Sequence, residues 1–272
     1  MDRRSSKRIR KEGRTRLEPL SAFLSPASAA GVIRRAGAIA QTVFVATLII
    51  ASLCAPANAD TVCDASSKAG ELCSCKVLEL RPTQFAVGMV EVKDKEAELA
   101  SKSGPALRAY QREHPEPTVK GPGGGLFITD HHHLALAMAD RGIEVTFCRL
   151  LADYSGLDPD SFWAKMAERG WLYLYDENGS GPRSPADLPR TVEGLKDDPY
   201  RSLASAVRDS GGFAKLSTPF AEFEWANYFR SSGISKADIQ DNFKKSVKEG
   251  WRIARKRAAC SLPGYKGRHP CQ

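Results

Sequence analysis

The sequence lacks the patterns that identify fibrous or repetitive proteins. It has no internal repeat, and glycine and proline contribute only 22 and 16 of its 272 residues. Aromatic residues are scarce at 8%, whereas hydrophobic residues make up 42% and charged residues 26% of the chain. These proportions exclude collagen, a coiled coil and bulk disorder, and they allow one large globular domain or two small ones.

The chain also lacks an excess of charge beyond its N-terminal segment. Its formal net charge is +8, but residues 1–59 hold ten basic side chains against three acidic ones. The rest of the chain therefore holds 30 basic and 29 acidic residues. Because the basicity belongs to the N-terminal segment, it does not predict a nucleic-acid partner for the folded part.

Long hydrophobic runs are absent except near the N-terminus. Arg34 and Arg35 are followed by an uncharged stretch over residues 36–59, which ends in Pro56-Ala-Asn-Ala59. A positive segment, an apolar segment and an Ala-x-Ala end predict a secretory signal peptide that is cleaved after Ala59. The mature protein would then be periplasmic or secreted, with no stable membrane insertion. The alternative is an uncleaved membrane anchor, because the stretch approaches the roughly 20 residues that span a bilayer.

Cysteine is infrequent, but its number suggests disulfide bonds. Beyond Cys54 there are six cysteines: Cys63, Cys73, Cys75, Cys148, Cys260 and Cys271. An even number in an exported chain favours disulfides, whose pairing the sequence does not determine. Cys260 and Cys271 bracket a tail rich in proline and glycine that a bond between them would close. A zinc site is disfavoured because Cys73-x-Cys75 is too short for a Cys-x-x-Cys pair; free thiols are the remaining alternative.

The predicted elements divide the exported chain into a mixed part and a helical part. Residues 60–75 are predicted to form a polar loop, and residues 76–155 alternate short strands with helices. Residues 156–272 are predicted to be mainly helical. The fold class predicted from this order is α+β, with a small α/β domain followed by a helical C-terminal half.

Three consecutive histidines follow a predicted strand over Leu126–Thr129. Asp130 is expected to be the N-cap of a helix, with His131, His132 and His133 in its first turn. A helix N-terminus presents unpaired N–H groups and the positive end of the helix dipole, so it binds anions readily. An imidazole there can transfer a proton near neutral pH. These four residues are therefore predicted to bind a phosphate group and to be catalytic.

Two other interpretations of this turn stay open. Successive helical residues point about 100° apart, so the three histidines cannot all bind one metal ion and at most two could join Asp130. The structural interpretation is that His132 or His133 packs inward and bonds to a backbone carbonyl. No metal ligand is assigned and the cofactor is unknown, with Mg²⁺ or Mn²⁺ as an optional addition.

Six stretches of the sequence together resemble a known family. They are Leu80-Arg-Pro-Thr-Gln-Phe-Ala-Val-Gly-Met89, Glu91-Val-Lys-Asp-Lys95, Asp130-His-His-His133, Asp197-Asp-Pro-Tyr-Arg-Ser202, Pro219-Phe-Ala-Glu-Phe-Glu-Trp225 and Leu262-Pro-Gly-Tyr265. They occur in the order seen in the ParB-like nuclease family, a branch of the ParB/sulfiredoxin superfamily. The resemblance spans residues 77–265 and implies a ParB/sulfiredoxin-like α/β domain with helices added after it.

The resemblance also implies where a phosphate would bind. Superfamily members bind nucleoside triphosphates or nucleic-acid phosphates at a strand-to-helix turn, which the turn at residues 130–133 resembles. Thr83, Gln84 and Gly88 resemble the family's Pro-Thr-Gln and Val-Gly motif, and Lys95 opens a helix in the same half. These four residues are expected to contact the phosphate. The alternatives are a turn cap for Gln84 and a solvated side chain for Lys95.

The turn contains neither the cysteine of sulfiredoxin nor the arginine of ParB, so sulfinic-acid reduction and partition-type DNA loading are not expected. The function implied is an exported nuclease or phosphohydrolase that binds a phosphate of a nucleotide or nucleic acid. The alternative is a non-catalytic module of the cell envelope that binds nucleotides or nucleic acid.

Overall fold

The computed structural model describes residues 60–268 and residue 271 of the chain. The expected signal peptide and its cleavage site at Ala59 lie outside these residues, so both stay predictions. In the part that the structure describes, no helix is long and apolar enough to cross a membrane.

The described residues contain short strands, all but one of them in the first half, and helices throughout. The strands are β1 (Leu72–Lys76), β2 (Leu80–Pro82), β3 (Ala86–Val87), β4 (Glu116–Lys120), β5 (Leu126–Ile128), β6 (Val145–Asp153) and β7 (Lys196–Asp197). The α-helices are α1 (Met89–Ala100), α2 (Gly104–Glu113), α3 (His132–Asp140), α4 (Pro159–Glu168), α5 (Pro199–Asp209), α6 (Ala221–Ser231), α7 (Lys236–Asp241) and α8 (Phe243–Ala254).

The main sheet is mixed and has the strand order β1-β6-β4-β5-β2. The β1–β6 and β4–β5 pairs are antiparallel, whereas the β4–β6 and β2–β5 pairs are parallel. β3 and β7 form a separate parallel pair. A mixed sheet combined with helices confirms the predicted α+β class.

The two faces of the main sheet pack against different helices, because successive side chains of a strand point to opposite faces. Ile128 and Cys148 belong to a core that also contains apolar residues of α1 and α3. Val119 and Phe127 belong to a second core with Phe162 of α4. The helix that begins with the histidines therefore lies on the first face of the sheet.

The helical C-terminal half packs directly against the first half. α5 to α8 share a third core that includes Tyr200, Trp225 and Phe229. Between the halves, β7 pairs with β3, and Val192 joins the core of the first half. The expected division at residue 155 therefore marks a change in secondary structure within one compact unit.

The structure places a strand at the end of the expected loop over residues 60–75. β1 begins at Leu72, and its Cys73 and Cys75 side chains are buried. Cys73 forms a disulfide with Cys63, and Cys75 forms one with Cys148, at Cα separations of 5.0 and 5.9 Å. The small polar residues hide this strand in the sequence, because the disulfides rather than apolar side chains anchor it.

The third disulfide confirms the expected bond between Cys260 and Cys271, whose Cα atoms lie 5.4 Å apart. Three disulfides in one chain indicate an oxidising, exported environment, since thiols stay reduced in the cytosol. All six cysteines outside the N-terminal segment are thereby paired.

Candidate functional site

The turn between β5 and α3 differs from the expected cap. His131, not Asp130, is the N-cap of α3, and it adopts the left-handed conformation with φ 61° and ψ 18°. The Asp130 carboxylate accepts a hydrogen bond from the His131 N–H at 2.7 Å. An N-cap side chain accepts instead from the second or third helical N–H, so Asp130 lies one position too early for that role.

His132 points into the interior. Its side chain is 2% exposed, and its Nε2 accepts a hydrogen bond from the Thr83 N–H at 3.1 Å. The Thr83 hydroxyl in turn donates to the Ile128 carbonyl at 2.9 Å. Burial, with a smaller effect of the neighbouring His131, lowers the pKa of His132 to about 3. His132 is therefore neutral, and its hydrogen bond connects the end of β2 to the start of α3. The structural interpretation expected the ring to donate to a carbonyl, whereas here it accepts from an N–H group.

His133 also has a structural contact, but it borders a network of charges. Its Nε2 accepts a hydrogen bond from the Gly88 N–H at 3.0 Å and lies 3.2 Å from Glu91 Oε2. The same Glu91 oxygen accepts a hydrogen bond from Arg201 Nη1 at 2.7 Å. Burial and then the charge of Arg201 lower the pKa of His133 well below its usual value. A neutral His133 thus joins α3 to the start of α1, and Glu91 joins α1 to α5 through Arg201.

Gly88 permits a close approach between α1 and α5. A Cβ atom at this position would lie 2.8 Å from both the backbone nitrogen and the hydroxyl of Ser202. The Val90 N–H donates to the Ser202 hydroxyl at 3.2 Å, and the Met89 N–H donates to Asp197 Oδ1 at 3.1 Å. The N–H groups at the start of α1 are therefore used by the protein itself, and Gly88 contacts α5 where the sequence predicts a phosphate.

His131 is the histidine with one ring nitrogen that has no partner among the described residues, although its ring also forms a hydrogen bond with the backbone at Pro115. Its residue is partly exposed, and its Nδ1 atom is buried without a hydrogen-bond partner in the described part of the chain. Burial lowers the pKa of His131, the carboxylate of Asp130 raises it, and the charges of His114 and Lys95 lower it. The ring is therefore neutral near pH 7 and is surrounded by one acidic and two basic groups.

Lys95 lies at the histidine end of α3. Its Nζ is 2.8 Å from Glu98 Oε2 and 3.4 Å from the Tyr110 hydroxyl, and the side chain is 41% exposed. Burial is the main reason why the pKa values of His131 and His133 are low, and the positive charge of Lys95 lowers both of them further. Its half-exposed ammonium contacts Glu98 and Tyr110, and its charge acts on the turn.

Lys93, two residues earlier on α1, lies at the other end of α3. Its Nζ pairs with Glu96 at 2.5 Å and is 4.0 Å from Asp140, the last residue of α3. Of these two lysines of α1, Lys93 therefore faces the end of α3, whereas Lys95 is the one whose charge acts on the histidines.

Glu116 is a feature of the site that sequence reasoning missed. It is fully buried in β4, and neither of its carboxyl oxygens has a hydrogen-bond partner among the described residues. Burial, reinforced by the negative charge of Asp130, raises its pKa well above the usual value. Its surroundings therefore favour the neutral, protonated form of the carboxyl group. Glu116, Thr118 and Lys120 are every second residue of β4 and share one face of the strand. This spacing was the feature of the sequence that could have indicated a buried Glu116.

Gln84 lies outside the turn: it is buried, and its Nε2 donates to the Ala86 carbonyl at 2.7 Å, as in the alternative role of a turn cap. In the described part of the chain, a group of three or more ligand atoms close enough to share one metal ion occurs only at Cys63, Cys75 and Cys148, whose sulfurs form disulfides.

Comparison with known proteins decides the family. The model of the family described as "putative ParB-like nuclease" matches residues 73–231, more than half of the chain. The chain belongs to this family. Among solved structures, it is similar to the protein Atu1540 from Agrobacterium tumefaciens, with 37% identity and a TM-score of 0.68. That match covers 73% of this chain and 98% of the other, and no curated protein matches.

Membership of the ParB-like nuclease family confirms the resemblance seen in the sequence. The matched region contains the turn at residues 130–133, together with Lys95, Glu116 and Arg201. What this arrangement offers chemically is a helix start with free N–H groups, a neutral imidazole at His131 and a nearby ammonium group.

Proposed function

We propose that the protein is an exported ParB-like nuclease or phosphohydrolase that binds a phosphate group at the start of α3. The observation that carries the proposal is His131. It is held in a left-handed conformation with a buried Nδ1 atom that has no partner in the described chain. A residue other than glycine in this conformation costs about 1–3 kcal/mol, and such strain is concentrated at functional sites.

The start of α3 supplies the attraction for a phosphate. The first N–H groups of a helix have no partner within it, and together they carry the positive end of the helix dipole. The N–H of His131 is taken by Asp130, which leaves those of the following residues for an anion. Lys95 adds a full positive charge that acts on this turn. A phosphate is the anion that such a combination binds well.

His131 is the group that we assign to proton transfer. Burial lowers its pKa, so the ring is neutral near pH 7 and can accept a proton from an attacking water molecule. The water oxygen forms a bond to phosphorus, the bond from phosphorus to the leaving oxygen breaks, and that oxygen takes a proton from solvent. The carboxylate of Asp130 favours the charged imidazole and so stabilises the proton on His131.

The test measures turnover by the exported, disulfide-bonded protein with nucleotides, single-stranded DNA and duplex DNA. Each substrate is incubated with a chelator, with Mg²⁺ and with Mn²⁺. The variant is His131→Ala rather than a change at His132, because loss of the buried His132 side chain would destabilise the folded protein. We expect His131→Ala to lower turnover by about 100-fold or more, as for the loss of a general base.

Lys95→Ala should also lower turnover, whereas Lys93→Ala is the matched control on the same helix and should not. Equal activity of the wild type and His131→Ala on every substrate, with both proteins folded, would contradict the proposal.

One observation favours the alternative of a non-catalytic binding module. Two of the three histidines, His132 and His133, accept hydrogen bonds from the backbone at Thr83 and Gly88. The same assay separates the two functions: a module would bind a nucleotide or DNA at this turn, lose that binding in Lys95→Ala, and show no turnover with either metal.

A further inference from the structure

A second pocket lies on the other face of the main sheet, away from α3. Its volume is about 370 Å³, and its walls include Arg81, Phe127, Trp163, Pro189 and Arg190. Phe127 belongs to the core that packs against α4, whereas the histidines adjoin the opposite core. This pocket therefore shares no residue with the site at the start of α3.

The pocket carries positive charge that the protein does not neutralise. Arg81 and Arg190 both line it, no acidic side chain does, and neither arginine forms an ion pair in the described part of the chain. The Arg81 guanidinium lies 5.4 Å from the centre of the Phe127 ring, so its position is set by an aromatic face rather than by a carboxylate. Two unpaired guanidinium groups at one cavity favour an anionic ligand.

The rest of the wall is flat and apolar. Trp163 is partly exposed, and its ring packs edge-on against Phe127 at 5.4 Å and against Phe162 at 4.7 Å. Pro185 and Pro189 also line the pocket. Aromatic and proline surfaces hold planar rings well, because stacking buries a ring face at little cost in conformational freedom.

We infer that this pocket binds a small organic anion with a flat aromatic ring, the ring lying on Trp163 and the anionic group between Arg81 and Arg190. Its volume lies within the range of about 300–1,000 Å³ that is usual for small-molecule sites. Two classes of compound have this chemistry: 5′-mononucleotides and aromatic carboxylates. The inference is independent of the function proposed for the histidine turn.

The test is calorimetric titration of the exported Lys95→Ala protein, so that binding at the start of α3 does not contribute. The probes are AMP and 4-hydroxybenzoate, with adenosine as the ring alone and inorganic phosphate as the anion alone. We expect at least one of the two complete probes to bind, and adenosine and phosphate each to bind about tenfold more weakly than AMP if AMP is the tighter ligand. The tighter complete probe identifies the class.

The variants locate the binding. Arg81→Gln and Arg190→Gln should each weaken it about tenfold or more, because each removes a charged hydrogen-bond donor. Arg141→Gln, an exposed arginine just after α3, is the control and should change affinity less than twofold. The inference is overturned if neither complete probe binds, if phosphate alone binds as tightly as the tighter complete probe, or if both pocket variants, still folded, bind as the control does.

Discussion

The buried His132 makes the stability of the protein depend on pH in a way that can be calculated. In the folded state its pKa is about 3, because burial disfavours the charged ring, whereas an exposed histidine has a pKa near 6.5. Below pH 6.5 the ring of His132 is therefore protonated in the unfolded chain but stays neutral in the folded chain. Stability is complete above pH 6.5 and falls as the pH decreases towards 3. The linkage relation gives a loss of about 2 kcal/mol between pH 7.5 and pH 5 from this residue alone.

The variant His132→Gln isolates this effect. A glutamine side chain can still accept the hydrogen bond from the Thr83 N–H, but it does not titrate. The variant should be less stable than the wild type at pH 7.5, since the fit of the ring is lost, by about 1–3 kcal/mol. At pH 5 the difference in the free energy of unfolding between the two proteins should be about 2 kcal/mol smaller, because only the wild type loses stability through protonation of His132 in the unfolded chain.

The assay is urea denaturation of both proteins, with disulfides intact, at the two pH values. Titration of His133 contributes equally to both and cancels. The same gap at pH 7.5 and pH 5 would refute the reasoning, since it would mean that His132 takes up protons equally in the folded and unfolded states.

Two further changes test the packing around the site. Gly88→Ala should destabilise the protein by roughly 1–3 kcal/mol in denaturant titrations, because the added methyl group meets the backbone of Ser202; unchanged stability would contradict the close approach of α1 and α5. Lys120→Met should cost about 2–4 kcal/mol, since the 3% exposed ammonium donates to two carbonyls and pairs with Asp153 at 2.7 Å. Lys165→Met, which removes an exposed pair, should cost under about 0.5 kcal/mol, and equal losses would refute the distinction.

Much of the fold follows from local patterns. The glycine-rich link between Lys120 and Leu126 indicates the antiparallel pairing of β4 and β5, and Gly104 with Pro105 indicates the break between α1 and α2. β1 could not be predicted in this way. Its stability comes from disulfides to Cys63 and Cys148, and the latter partner is 73 residues away in the sequence.

The roles of the residues in the candidate site could be predicted from local sequence patterns even less well than β1. The histidine run indicates a special turn, but the role of each ring depends on a backbone group from a distant segment. The role of His132 depends on its hydrogen bond from the Thr83 N–H, 49 residues earlier in the chain. The role of His133 depends on its hydrogen bond from the Gly88 N–H, 45 residues earlier. Only the folded chain shows that Nδ1 of His131 is left without a partner among the described residues.

The central claim is that a phosphate binds beside His131, and the pKa of that ring tests it most directly. Histidine ring resonances followed by NMR across pH 5 to 8, with and without inorganic phosphate, give this value in each state. A bound anion favours the charged imidazole, so we expect phosphate to raise the pKa of His131 by about one unit, or 1.4 kcal/mol. His132 should show no titration in this range. The same pKa of His131 with and without saturating phosphate, in a folded protein, would contradict the account.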